Sequence, residues 1–183
     1  MARKYKIHDN RQIYFVTFTV INWIDAFIRE EYRQIFYESI KYCQKNKGLE
    51  VYGYCVMTSH IHLIIGTEHG VLTDIIRDLK SFTSRSIRKA IENSNTESRK
   101  EWMLWMFGRA GLRNERNKDF QFWMQHNHPI ELSNATLAQQ RLDYIHYNPI
   151  EIGFVAKEED WIHSSYQDYY CNRKGEIDLL FIE

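Results

Sequence analysis

The chain carries no net charge, because 24 lysines and arginines balance 24 aspartates and glutamates over 183 residues. Any affinity for nucleic acid must come from local clusters of basic side chains, not from a field of the whole molecule. Cysteine is scarce. Cys43, Cys55 and Cys171 are odd in number, scattered, and form no CxxC pair, which argues against a disulfide framework or a zinc knuckle and suits a reducing compartment. Long hydrophobic runs are missing too. The basic start, residues 1–10, leads into Ile13–Val20, where Thr17 and Thr19 interrupt the apolar side chains, so this stretch reads as a strand and not as a signal-peptide core. No segment is long and apolar enough to span a bilayer, and there is no internal repeat or low-complexity linker. These absences leave one cytoplasmic domain over residues 1–183, without a membrane partner. Its core covers about 13–155 and its remainder, 156–183, is peripheral.

Apolar residues make up 44% of the chain, enough to build a real core. After the strand Ile13–Val20, the spacing of Tyr32, Ile35, Phe36, Ser39, Ile40 and Cys43 predicts a helix over Arg29–Lys45. Gly48 is placed to cap it in a left-handed conformation. Leu49–Met57 and His60–Gly66 read as two further strands around a short Thr58-Ser59 turn. Thr73 is the expected cap of a long helix reaching about Ser94, with Ile75, Ile76, Leu79, Phe82, Ile87 and Ala90 inside. Residues 95–119 are mixed, Phe120–Met124 resembles a short strand, and Asn134 starts a last helix. Pro149 predicts that this helix ends by Asn148. The order is strand, helix, strand, strand, helix, insertion, strand, helix. That order predicts an α+β, ferredoxin-like (split βαβ) antiparallel sheet with helices on one face and an additional C-terminal helix. Such a fold serves many functions, so function must be argued from the site.

Two constellations carry chemistry. In His60-Ile61-His62, strand alternation sends both imidazoles to one face, about 7 Å apart along the strand, where they can converge on one ion. Ile61, Leu63 and Ile65 face the other way, toward the helices, so the histidines should face the open side of the sheet. The same residues would also suit two surface histidines on a solvated strand. On the last helix, Ala138, Leu142 and Ile145 form the apolar stripe, while Gln140, Tyr144 and Asn148 recur on a separate one. A tyrosine between two amides is a workable nucleophile beside a ligand, and is equally the pattern of a half-buried tyrosine with a bonded hydroxyl. Tyr147 competes for the role; His146 projects elsewhere.

Basic residues recur along the long middle helix: Arg77, Lys80, Arg85 and Arg88, interleaved with Ser81 and Ser84. Such a stripe can contact phosphates, or can be an ordinary solvated face. Arg109, Arg113, Arg116 and Lys118 form a second positive cluster, near Trp102, Trp105 and Phe107, which could stack on unpaired bases or fill the core.

The run Tyr54-Cys55-Val56-Met57-Thr58-Ser59-His60-Ile61-His62-Leu63-Ile64 resembles the His-hydrophobic-His (HUH) motif of the one-tyrosine transposases. Asp143-Tyr144-Ile145-His146-Tyr147-Asn148-Pro149, followed by Gly153-Phe154-Val155, is similar to their tyrosine helix, and Asn-Pro after the tyrosine most resembles the REP-associated branch. Lys80-Ser81-Phe82-Thr83, Trp161 and Ser164-Ser165-Tyr166 fit that branch as well. The likeness runs from about Ile13 to Tyr169. It implies a metal-dependent endonuclease and strand-transferase acting on single-stranded DNA, with hairpin structure in the substrate. On that model His60 and His62 hold Mg²⁺ or Mn²⁺ with Asn148 as third ligand, where insertion-sequence members carry Gln. Tyr144 attacks the scissile phosphate to form a 5′-phosphotyrosine bond and free a 3′-hydroxyl. The phosphotyrosine conserves the phosphodiester energy that hydrolysis would lose, and a free phenol, ionising near pH ~10, needs the help a cation provides. Arg77, Lys80, Arg85, Arg88, Arg109 and Arg113 are then the expected DNA contacts. The resemblance allows either a homodimer that exchanges the tyrosine helix or a monomer acting in cis. Two other readings stand beside it: a metal-dependent nuclease in which water attacks, and a non-catalytic nucleic-acid-binding sheet, which would need aromatics where the histidines lie.

Overall fold

Alternation along three strands builds two cores on the two faces of one sheet. The structure, a computed structural model, describes residues 7–114 and 119–182, so Arg116 and Lys118 lie outside the described residues. The strands are β1 (Tyr14–Thr19), β2 (Leu49–Val56), β3 (His60–Thr67) and the short β4 (Ile130–Glu131), and the sheet is antiparallel in the order β2-β3-β1-β4. β3 therefore lies between β1 and β2, which are joined through α1 (Glu30–Lys47). Tyr14, Val16 and Phe18 of β1 and Ile61, Leu63 and Ile65 of β3 bury one face against α1 and α2 (Leu72–Asn93). Phe15 and Ile64 belong to a second cluster with Ala138, Leu142 and Ile145 of α4 (Ala135–Glu151). A β-bulge between Val51 and Gly53 shifts the alternation of β2 by one residue, so that Leu49, Val51, Tyr54 and Val56 all face the first cluster and Cys55 the second.

The second face is thus not open, as the sequence suggested, but covered by α4. Gly53 permits the close approach: a Cβ there would come within 2.8 Å of a Leu142 methyl. α4 is capped at Asn134, whose side chain accepts from Leu137 N–H at 2.9 Å. It continues past the expected stop at Asn148 to Glu151. Pro149 removes one helical donor, but Ile152 N–H still bonds Asn148 O, Phe154 N–H bonds Pro149 O, and both Asn148 and Pro149 are buried.

Four further expectations are revised. α2 begins one residue before Thr73, without a side-chain cap at Val71. Phe82 is 54% exposed, and Thr83 takes the inward position; its hydroxyl is satisfied by Leu79 O at 2.8 Å and by the indole N–H of Trp123 at 3.0 Å. Residues 100–112 form a regular helix, α3 (Lys100–Leu112), rather than mixed structure. Phe120–Met124 makes only an isolated bridge, Trp123 to Val20, because the incoming chain spends more residues than β1 between that bridge and β4. It still covers the β1 edge, with Met124 N–H on Thr19 O and Thr17 N–H on Asn127 O. The tail does the same for β2: Val56 N–H bonds His163 O and Ser165 N–H bonds Tyr54 O, just before α5 (Tyr166–Tyr170). No helix among the described residues is long and apolar enough to cross a membrane.

Candidate active site

The site lies where α4 packs over β2 and β3 and its side chains reach Phe15 of β1. One turn of helix advances about 5.4 Å and two residues of strand about 6.7 Å, so successive turns of α4 can meet successive same-face residues of the sheet. The guanidinium of Arg141 lies over Phe15 at 5.4 Å, the Tyr144 ring meets His62 edge-on at 5.5 Å, and the Asn148 amide oxygen is 3.3 Å from His60 Nε2. The two imidazoles are 4.8 Å apart between ring centroids. They are buried, not solvated.

Burial sets the protonation of the pair. It holds His60 below the usual imidazole range despite the Asn148 contact, and with the neighbouring His60 it pushes His62 down to about 3. Both rings are neutral near pH 7 and keep a lone pair for a ligand. In the β1–β3 register Thr17 stands opposite His62, with its hydroxyl 2.9 Å from Nδ1. A proton on Nδ1 donated to Thr17 leaves the lone pair on Nε2, which is buried and has no hydrogen-bond partner. Ser59 Oγ lies 3.3 Å from Nδ1 of His60. Two imidazole nitrogens and one amide oxygen form a donor set that a divalent ion accepts, so the residues fit such a group.

Tyr144 is 39% exposed and stands at the mouth of the site, T-shaped against Phe15 at 6.0 Å. Arg141, one turn earlier, lies 5.9 Å from the centre of the Tyr144 ring and has no ion pair among the described residues. Tyr147 is more exposed, at 52%, and shares with Tyr144, Gln140, Asp143 and Glu158 a shallow cleft; it is the Tyr144 ring that meets His62. His146 is buried, with Nε2 2.8 Å from Ser165 Oγ, which ties α4 to the tail. Neither Thr17 nor Arg141 was selected from sequence. The signal for Thr17 was its alternation with Thr19 in a strand whose other residues are apolar; Arg141 carried no signal beyond its distance of three residues from Tyr144.

The basic residues divide. Arg77, Lys80, Ser81, Ser84 and Arg85 line a cleft of about 900 Å³ between α2 and residues 119–127. Within it the Lys80 ammonium turns inward, donating to Met124 O at 2.7 Å and to Asn127 Oδ1 at 2.5 Å. Arg77 pairs with Asp74 and Asp78, and Arg88 pairs with Glu92 and lies over Phe120. Arg109 and Arg113 line a second cleft, of about 530 Å³, with Asn22, Gln121 and Gln125. Trp102 and Trp105 are exposed, Arg109 lies over Trp105 at 5.1 Å, and Phe107 fills the core.

The chain belongs to the IS200-like transposase family, whose model matches residues 11–108, and so to enzymes that cut and rejoin DNA. That match includes the paired histidines and ends before α4. Over 156 residues, 84% of this chain and 79% of the other, it is 26% identical to a Haemophilus influenzae protein named as a REP-associated tyrosine transposase. A solved structure of a REP-associated tyrosine transposase bound to a REP hairpin superposes with a TM-score of 0.67 at 14% identity. It covers all of this chain and 94% of its own, a likeness of fold.

Proposed function

We propose that this transposase cleaves and rejoins single-stranded DNA, hairpin-bearing in its natural substrate, through a covalent bond between Tyr144 and a 5′-phosphate. The observation that carries the reading is the convergence of the Tyr144 ring on His62, whose buried Nε2 has no other partner. His60, His62 and Asn148 would hold Mg²⁺ or Mn²⁺. Bound there, such an ion draws charge from a phosphate oxygen and orients the leaving group.

The chain's own residues do the rest. Tyr144 is presented on a rigid helix at the edge of the site, half in solvent, so a phosphate can reach it. Its Oη forms the bond to phosphorus as the P–O3′ bond breaks, and the phenolic proton is transferred, overall, to the departing 3′-oxygen. Rejoining reverses the exchange with another 3′-hydroxyl. Arg141 stacks beside the nucleophile and offers a cation to the same phosphate. Arg85, Arg109 and Arg113, with Arg77, Arg88 and the cleft around Lys80, give the strand a basic path outside the chemistry.

The test is a covalent-trapping gel with single-stranded oligonucleotides bearing the hairpins of repeats flanking the gene, in Mg²⁺ or Mn²⁺. Wild type and Tyr147→Phe should give a denaturation-resistant protein–DNA band; Tyr144→Phe and His60→Ala should give none. Cleavage without adduct, unaffected by Tyr144→Phe, would return the protein to the hydrolytic nucleases.

A further inference from the structure

The segment after β1 holds an aromatic ring that neither the core nor the proposed chemistry uses. Trp23 is 57% exposed, yet it is not loose: its N–H bonds Val20 O at 3.0 Å, and Val20 N–H bonds Ser59 O at 2.9 Å. Asn22 and Trp23 both have φ of 55°, and a bulky side chain in that region is strained, so the surrounding bonds hold the turn against its preference. The result is an indole edge-on to His60, with ring centroids 5.3 Å apart. An exposed indole costs solvation and a positive φ costs conformational energy; together beside a buried imidazole they mark a surface kept for a ligand.

The order of groups along the strands identifies that ligand. Tyr144 and Arg141 lie at the Phe15–His62 end of the β1–β3 pair, and His60 pairs with Thr19 two residues further along. Trp23 lies beyond His60, on the chain leaving β1. The histidines therefore stand between the tyrosine and the indole. In an in-line displacement the attacking and leaving oxygens are on opposite sides of phosphorus. With Tyr144 attacking from one end, the 3′-oxygen departs toward the other, and the nucleotide that bears it lies at Trp23. Every base has a π-face, and stacking on an aromatic side chain is the usual way to hold an unpaired one. Beside Trp23, Asn22 lines the cleft that contains Arg109 and Arg113, a basic continuation for the strand upstream of that nucleotide.

We propose that Trp23 is the stacking platform for the base immediately 5′ of the scissile phosphate, holding the nucleotide whose 3′-hydroxyl is released and later reused. The assignment rests on the strand-transfer reading above. It adds a substrate contact at a definite nucleotide, on the side of the histidines away from the nucleophile.

The test couples protein and DNA changes in single-turnover adduct formation, using the hairpin oligonucleotides whose cleavage point the trapping gel has mapped. An abasic residue immediately 5′ of that point should slow wild type about tenfold, whereas one immediately 3′ should have a smaller effect. Trp23→Ala should slow the intact oligonucleotide about tenfold and abolish the difference between intact and 5′-abasic DNA. Trp23→Phe should keep part of both. If wild type is indifferent to the 5′-abasic site, or if the losses from Trp23→Ala and from the abasic site multiply independently, the platform is elsewhere. Adduct formation on Tyr144 with intact DNA alongside either result overturns the stacking assignment and leaves the strand-transfer reading standing. Absence of any adduct in wild type removes both.

Discussion

Asn148 brings its amide oxygen to 3.3 Å from Nε2 of His60 across 88 residues of sequence. Both groups are buried, one on α4 and one on β3. Asn148→Ala removes one of three proposed donors. Mn²⁺ affinity, measured by the relaxation of water protons, should fall by more than the about 10–100-fold typical of losing a supporting contact. Unchanged affinity would remove Asn148 from the ligand set.

If His62 holds the proposed ion, Thr17 acts on it through the Nδ1 contact. Thr17→Val keeps the shape of the side chain and deletes the contact to Nδ1. The expected outcome is a loss of about 10–100-fold in Mn²⁺ affinity, with the adduct rate at saturating Mn²⁺ largely retained. Thr17→Ser should restore affinity, because it restores the hydroxyl. A fall in the saturated rate without a change in affinity would assign Thr17 to packing alone.

Arg141 is a cation with no carboxylate partner among the described residues, lying over the rings of Phe15 and Tyr144. Arg141→Ala should slow single-turnover adduct formation by about 10–100-fold, equivalent to about 1.4–2.7 kcal/mol. The melting temperature should move little, since the residue makes no ion pair among the described residues. Arg141→Lys should recover only part of the rate, because an ammonium lacks the planar fork of donors. An Arg141→Ala enzyme as fast as wild type would confine this residue to stacking.

Lys80 gives the fold a measurable pH dependence. Burial pushes its ammonium down to about 7, while the unfolded chain keeps an ordinary lysine near ~10.4. Between these values the unfolded state binds more protons than the folded one, so stability rises with pH across that window. The cost is fully present below pH 7 and disappears above about pH 10. Compared with Lys80→Met, wild type should gain unfolding free energy between pH 7 and 10, by up to ~1.4 kcal/mol per pH unit. Urea titrations at pH 6, 8 and 10 read this directly; parallel curves would mean that the bonds to Met124 and Asn127 keep the charged form at no cost.

Much of this was legible in the chain itself. β-Branched and aromatic side chains in residues 13–20, the alternation that begins at His60, and helical spacing in 29–45 and 73–94 predict strands and helices within one or two residues of their observed bounds. The alternation His60-Ile61-His62 already put both imidazoles on one face, and Asn134 and Gly48 announced their caps. Where the pattern failed, a tertiary partner had overridden it. Phe82 yielded the interior to Thr83 because Trp123 satisfies the threonine hydroxyl. Phe120–Met124 could not form a regular ladder because its spacing does not match β1.

Periodicity in the chain fixed the sidedness of most elements, with Phe82 on α2 the exception, since one-dimensional spacing encodes which positions share a face. The tertiary structure alone decided that α4 closes over the histidine face, that Thr17 orients His62, that Lys80 turns inward and that Trp23 flanks His60 opposite Tyr144. Those relations depend on how far one element slides along another, a quantity set by the fit of Leu142 over Gly53 and by edge bonds from residues far apart in the chain. No local pattern records it.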